Sequence, residues 1–271
     1  MESWLSEQAK TMVQSWEKSL GRFYPQYLND WTDPHAHYKA IHEQWNHLRA
    51  AEWVKWDTYL SGQDLKILDL GAGAGWLSII LSQRQNVERI YALDSSETLL
   101  RDMFPPLLQL MGGNSEKITP ILGLFTPILA GNGFYDAVVA SSAIHHAPDL
   151  VECLQEVHRV LKPGGYFIIL NEQPYSYVRY TAMVGLRCVK LLKGVTTRQS
   201  QPFPRWVSES GIVTDPYLGD RAYSEWQWKQ AFTSSGFYFL RKVSPYYPYC
   251  GINDPRNKIK LTHYIATKPS T

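Results

Sequence analysis

Apolar positions recur along the chain in two rhythms. Over residues 1 to 60 the spacing is helical: Leu5, Ala9, Met12, Trp16 and Leu20, then Ile41, Trp45, Leu48, Trp56 and Tyr59 with Glu52 as the one polar interruption. Between them runs an aromatic, proline-punctuated loop from Phe23 to Trp31, followed by Asp33-Pro34-His35. From 61 to 172 short apolar runs alternate with helical segments, the pattern of a parallel sheet with helices on both faces. Within it Asp149, with Glu152 three residues on, predicts the cap of a helix through Leu150, Leu154, Val157 and Leu161, which Pro163-Gly164-Gly165 ends. Pro105-Pro106 predicts a break in the helix that follows Asp94.

The alternation stops after 172. Tyr177 to Lys193 is a basic amphipathic stretch in which Arg179, Arg187, Lys190 and Lys193 share a helical face, and an irregular loop containing prolines and aromatics follows to 222. Ser224, with Gln227 three residues later, opens a helix through Trp228, Ala231 and Phe232 that closes at Gly236. Phe237–Tyr246 and Lys260–Lys268 read as a final antiparallel strand pair. The divisions are therefore a helical N-terminal cap (1–60), an α/β core (61–172), an insertion (173–222) and a C-terminal helix and strand pair completing the core (223–271).

The chemistry concentrates in Ile67-Leu68-Asp69-Leu70-Gly71-Ala72-Gly73-Ala74-Gly75, where an apolar strand enters a glycine-rich turn that opens the helix beginning at Trp76. Glycines at every second position clear side chains from a place where backbone N–H groups and a helix N-terminus approach a ligand. A dinucleotide-binding turn reads G-x-G-x-x-G; here the third glycine comes one residue early, and Asp69 suits an ammonium better than a phosphate. Nineteen residues past Gly75, the run Arg89-Ile90-Tyr91-Ala92-Leu93-Asp94-Ser95 ends a second strand in a carboxylate placed for the two hydroxyls of a ribose. An amino acid and a ribose without a pyrophosphate describe S-adenosylmethionine.

With Phe134–Ser142 as a fourth strand, Ala143-Ile144-His145-His146-Ala147-Pro148-Asp149 after it and Leu161–Ile169 leading a fifth, the chain resembles the class I S-adenosylmethionine-dependent methyltransferases that act on small molecules. Residues 61–172 carry the resemblance strongly and 223–271 more weakly. It implies an α/β fold, a doubly wound seven-stranded Rossmann-like sheet with the N-terminal cap and a substrate lid inserted after the fifth strand. It also implies that Asp69, Gly71, Ala72, Gly73, Gly75, Trp76, Asp94, Ser95, Leu124, Phe125 and Ser141 line the cofactor. Relatives commonly place an acid for the adenine amine after the third strand, where this chain has Gly123-Leu124-Phe125, so adenine recognition falls to backbone groups and to Leu124 and Phe125.

Composition narrows the class further. In 271 residues, 44% hydrophobic and 13% aromatic content supports a well-buried core, and a net charge of +2 gives no electrostatic case for nucleic acid. Three dispersed cysteines without a C-x-x-C pair point to neither disulfides nor zinc, and a cytoplasmic setting is expected. No stretch approaches the roughly 20 apolar residues that span a bilayer.

Methyl transfer to a hydroxyl needs a base, and His146 and His145 follow the fourth strand where ligands of an open parallel sheet collect. His146 is preferred, against the alternative that one ring packs under the cofactor and the other caps the turn. Glu172, ending Leu170-Asn171-Glu172, is placed to orient an imidazole or bind an amine, with Asn171 competing for the position. His35, His37, His42 and His47 raise a metal, but no cysteine or acid cluster completes a set and none is expected. The expected activity is methylation of a small acceptor, aromatic or apolar, at oxygen. Nitrogen or carbon methylation, a lipid-like acceptor, a cofactor-retaining cyclase or binding protein and a nicotinamide dehydrogenase are the alternatives. The 177–193 stretch reads as a pocket lid, with surface association as its rival.

Overall fold

A computed structural model of the chain describes residues 1–23, 32–192, 211–215, 219–244 and 261–270. The expected loop at 24–31, Lys193 and the aromatic tail Tyr246–Tyr249 lie outside them. Ten strands are present among the described residues: β1 (Glu2–Ser3), β2 (Leu65–Leu70), β3 (Val87–Asp94), β4 (Ile118–Leu122), β5 (Tyr135–Ser141), β6 (Leu161–Glu172), β7 (Ile212–Asp215), β8 (Asp220–Ala222), β9 (Tyr238–Val243) and β10 (Thr262–Thr267). The α-helices are α1 (Glu7–Phe23), α2 (Pro34–Lys39), α3 (His47–Trp53), α4 (Trp56–Tyr59), α5 (Trp76–Ser82), α6 (Phe104–Met111), α7 (Leu150–Val160), α8 (Tyr177–Leu192) and α9 (Glu225–Ser234).

Eight strands form one sheet in the order β1-β4-β3-β2-β5-β6-β10-β9, parallel from β1 to β6 and antiparallel at β10 and β9. The expected count of seven is corrected by one. Glu2–Ser3, read as part of a helical cap, pairs with Ile121–Leu122, and Trp4 N–H donates to the Leu122 carbonyl at 2.8 Å, because the exposed edge of β4 offers backbone partners. The order turns back on itself between β2 and β5, so the carboxyl ends of β2, β3, β5 and β6 open onto a shared crevice.

Alternation along the central strands builds two cores. Ile67, Ile90, Val139, Ile168 and Leu170 face α3, α5 and α6, while Leu68, Leu93, Val138, Phe167 and Ile169 face α7 and α9. Both faces are apolar because both are covered by helices. On the second face Trp228 is 1% exposed and stacks on Tyr264 with ring centroids 4.9 Å apart. Two caps behave as their residues predict: Asp149 accepts from the N–H groups of Val151 and Glu152, and Ser224 with Gln227 forms a complete capping box.

Three local expectations are corrected. The helical rhythm over 41–59 is interrupted where Asn46 adopts a left-handed φ of 56° and Val54 is extended, which splits it into short helices. Pro105-Pro106 does not stop the helical segment: a π-helical run, Leu99–Met103, passes directly into α6, whose first turn holds both prolines and needs no donors there. Helix α7 ends at Val160, before Pro163. Leu161 already pairs with Tyr135, and the next paired residues are Tyr166 and Ala137, so Lys162–Gly165 bulge within β6.

Truncating Trp228 to Ala should leave a cavity in the second core and cost about 3–5 kcal/mol of unfolding free energy. A denaturant titration checks this, and a loss below about 1 kcal/mol would contradict the placement of Trp228.

Candidate functional site

The glycine turn leaves β2 with Gly71 and Ala72 donating to the Leu93 carbonyl at 2.8 and 2.9 Å, which ties it to the end of β3. Gly75 has a φ of 80°, and a Cβ there would run into the Phe104 ring, so only glycine serves. Gly73 differs. Its φ is 56°, and a Cβ added to it would meet no atom within 4 Å, so open space lies over it. At that opening Gly73 N–H donates to Asp94 Oδ2 at 2.7 Å and Ser96 N–H donates to Oδ1 at 2.8 Å. Each oxygen keeps acceptor capacity after one bond. Loss of hydration raises the Asp94 pKa against the pull of these amides, the condition of a carboxylate short of donors.

The other expected cofactor residues surround this point at different depths. Asp69 is 1% exposed and sits beneath the turn, its Oδ2 accepting from Ser78 N–H at 3.0 Å and Ser78 Oγ at 2.7 Å. Burial pushes its pKa up to about 7. Its hydrogen bonds brace the start of α5 from inside the protein. Phe125 packs over the turn, with its ring 3.3 Å from where a Gly71 Cβ would stand, and Leu124 beside it is half-buried. Trp76 is buried, 6.0 Å from the His47 ring. Ser95 is half-buried beside Asp94, and Ser141 is buried, its Oγ accepting from Asn171 Nδ2 at 2.9 Å. Open space above Gly73, a donor-poor carboxylate at its floor and an apolar wall at Phe125 fit the ribose and adenine of an adenosyl cofactor.

On the β5 side the two histidines occupy a single 3-10 turn, Ile144–His146, immediately after Ala143, which abuts Gly71. Glu172 at the end of β6 is fully buried and holds this turn. Its Oε1 accepts from the N–H groups of Ala143 and Ile144 at 3.1 and 2.9 Å, and its Oε2 lies 3.0 Å from His145 Nδ1. Glu172 rather than Asn171 reaches the histidines; Asn171 is left-handed at φ 62°, with its N–H donating to His263 Nδ1 at 3.0 Å.

Asp220 is the residue that the sequence did not single out. It stands at the start of β8, far along the chain, and its Oδ1 lies 3.5 Å from His145 Nε2 and 3.3 Å from His146 Nδ1. Loss of hydration pulls the His145 pKa down, but Glu172 and Asp220 outweigh it and carry it up to about 10. Burial raises the Asp220 pKa, yet the histidines more than compensate and hold it below its ordinary value. His145 is therefore an imidazolium at neutral pH. With both carboxylates favouring its charged form, His145 is less suited than His146 to accept a further proton. The His146 ring lies 4.2 Å from it, centroid to centroid, with a third of its side chain exposed.

Among the described residues, His145, His146 and Asp220 are the one group whose ligand atoms converge within 4.8 Å, as a metal would require. Of the four histidines near the N-terminus, His47 enters the site region, its Nε2 3.3 Å from Ser142 Oγ. Desolvation, followed by His37 and His263, lowers its pKa to about 3, so it is neutral.

Residues 68–169 match the family model described as a methyltransferase domain. A curated relative, the ubiquinone biosynthesis O-methyltransferase of Leptothrix cholodnii, is 26% identical over 203 residues, covering 72% of this chain and 82% of the relative. Among solved structures, a protein described as a putative sarcosine dimethylglycine methyltransferase from Galdieria sulphuraria is similar with a TM-score of 0.57 at 19% identity, over 82% of this chain and 86% of that one. The cyclase SpnF is similar with a TM-score of 0.54 at 14% identity, over 80% of this chain and 78% of that one. These structures share the Rossmann-like α/β fold.

The raised pKa of His145 has a stability consequence. The folded state favours the charged ring, so its contribution is complete below about pH 6.5 and is lost as pH rises through about 10. In Asp220→Asn one of the two carboxylates is gone, and the His145 imidazole resonance should titrate at lower pH than in the native chain. An unchanged titration by NMR would contradict the pairing.

Proposed function

Because the chain is a class I S-adenosylmethionine-dependent methyltransferase, we propose that it methylates an oxygen of a small-molecule acceptor, with His146 removing the acceptor's proton. The observation that carries this reading is the ordered set Glu172–His145–Asp220–His146 beside the glycine turn. When bound, S-adenosylmethionine supplies a methyl group already activated on a sulfonium.

The chain's part is to hold, orient and deprotonate. Asp94 would take the ribose hydroxyls through the acceptor capacity left on its two oxygens, and Leu124 and Phe125 would wall the adenine. Asp69 would act on the cofactor through the turn it braces rather than by touch. Asp220 near His146 Nδ1 favours the tautomer with its proton on Nδ1, which leaves Nε2 as the acceptor of the hydroxyl proton. His145 brings a fixed positive charge beside that ring, which favours an oxyanion developing on the acceptor. Ala143 against Gly71 keeps the histidine turn next to the cofactor turn, as an in-line transfer at roughly 3 Å requires.

The relatives' description as O-methyltransferases of ubiquinone biosynthesis supports oxygen as the methylated atom. Asp220, which follows β6 in the chain, then contributes to the acceptor site.

Incubation of the chain and S-adenosylmethionine with parallel panels of phenols, catechols and amines tests this reading by mass. A methyl gain on hydroxyl compounds is expected, and a gain confined to amines would overturn it. His146→Ala should retain cofactor affinity while slowing transfer about 10²-fold or more. Full activity in that variant would remove His146 as the base.

A further inference from the structure

S-adenosylmethionine carries an ammonium at its amino-acid end, and Asp69, the acid suited to it in the sequence, lies beneath the turn with its Oδ2 committed to Ser78. Burial also pushes its pKa up to about 7, so it is only partly ionised at neutral pH. The strand order shows where another acceptor is needed. Leu124 and Phe125 follow β4, Asp94 ends β3, the glycine turn follows β2 and Ser142 follows β5, neighbours in that order across the sheet. With adenine and ribose at the first two, the amino-acid end falls to the turn and Ser142.

His47 enters there from the N-terminal cap. Its ring lies 6.0 Å from that of Trp76, the first residue of α5, and its Nε2 lies 3.3 Å from Ser142 Oγ. Ser142 fixes its tautomer. The single hydroxyl proton is donated to the Asn171 carbonyl at 3.0 Å, so towards His47 the oxygen can only accept. Nε2 therefore carries the ring proton, and Nδ1 is a bare lone pair without a hydrogen-bond partner among the described residues. With desolvation, His37 and His263 lowering the ring's pKa to about 3, that lone pair persists across the neutral range. The backbone is distorted to make this contact. Of four non-glycine residues with positive φ among those described, Asn46 precedes His47, and Ser142 and Asn171 carry the hydrogen bonds that orient it.

We propose that His47 Nδ1 accepts a hydrogen bond from the ammonium of S-adenosylmethionine. The chemistry of the atom selects the group. A bare lone pair repels the carboxylate at the same end of the ligand, which brings no donor, whereas an ammonium brings three and makes a charge-assisted bond to it. A neutral imidazole meets the ammonium without a second buried charge, and the nearby cation further disfavours protonation of the ring. His47 is thus a binding residue that the cap supplies to the cofactor.

Calorimetry with three ligands tests this without acceptor or turnover, so the result is independent of which atom is methylated. They are S-adenosylhomocysteine, its analogue lacking the α-amino group, and 5′-methylthioadenosine, which lacks the whole amino-acid end. The native chain should bind S-adenosylhomocysteine about 10- to 100-fold more tightly than the deamino analogue. In His47→Ala most of that preference should vanish, because the variant has no acceptor for the amine to lose. Its affinity for 5′-methylthioadenosine should match the native value, which shows the adenosyl half of the site intact. Equal binding of the amino and deamino ligands by the native chain would overturn the proposal, as would a preference that survives in His47→Ala. A variant that also loses 5′-methylthioadenosine would assign His47 to holding the fold and overturn it too.

Discussion

Glu172 has no exposed surface, and a carboxylate in that position is tolerated only because two backbone N–H groups and an imidazole converge on it. That requirement organises the candidate site. The backbone donors belong to Ala143 and Ile144, so the carboxylate at the end of β6 fixes the turn that follows β5. The third partner is His145, which the same carboxylate helps keep charged. The charged ring draws Asp220 from a distant strand, and Asp220 in turn reaches His146. Removing Glu172 would leave the buried amides of Ala143 and Ile144 without their acceptor and His145 with Asp220 alone.

The glycine turn is coupled to this network by contact rather than by charge. Ala143 stands where a side chain at position 71 would have to go, so the histidine turn and the cofactor turn are held edge to edge. Both halves of a group transfer need such a join, since the reacting atoms must come within a few tenths of an ångström of contact before chemistry begins. Gly71 and Gly75 admit their packed neighbours, and Gly73 leaves the space that a ligand enters.

Local signals were readable in the sequence because their physics is local. A strand, a turn that only glycine can make and a capping carboxylate each occupy a few consecutive residues, so Gly71–Gly75, Asp94, Asp149 and Ser224 announce themselves. Pro105-Pro106 marks a change of helix type rather than a stop, because the run before it is π-helical and the prolines fall in the first α turn. The splitting of the 41–59 rhythm rests on left-handed Asn46, and apolar spacing does not report backbone handedness. Asp220 was illegible for a different reason. Its meaning comes from a fold that returns residue 220 to the end of β5, and no pattern around it marks it as a partner of His145 and His146.

The arrangement is tested most directly at Asp94, where the glycine turn and the end of β3 meet. Calorimetric titration of S-adenosylmethionine into the native chain and into Asp94→Ala should give saturable binding to the first and binding weaker by about 2–4 kcal/mol to the second. Equal affinity in the two proteins would mean that the carboxylate beside Gly73 does not hold the ribose, and would contradict the site as drawn.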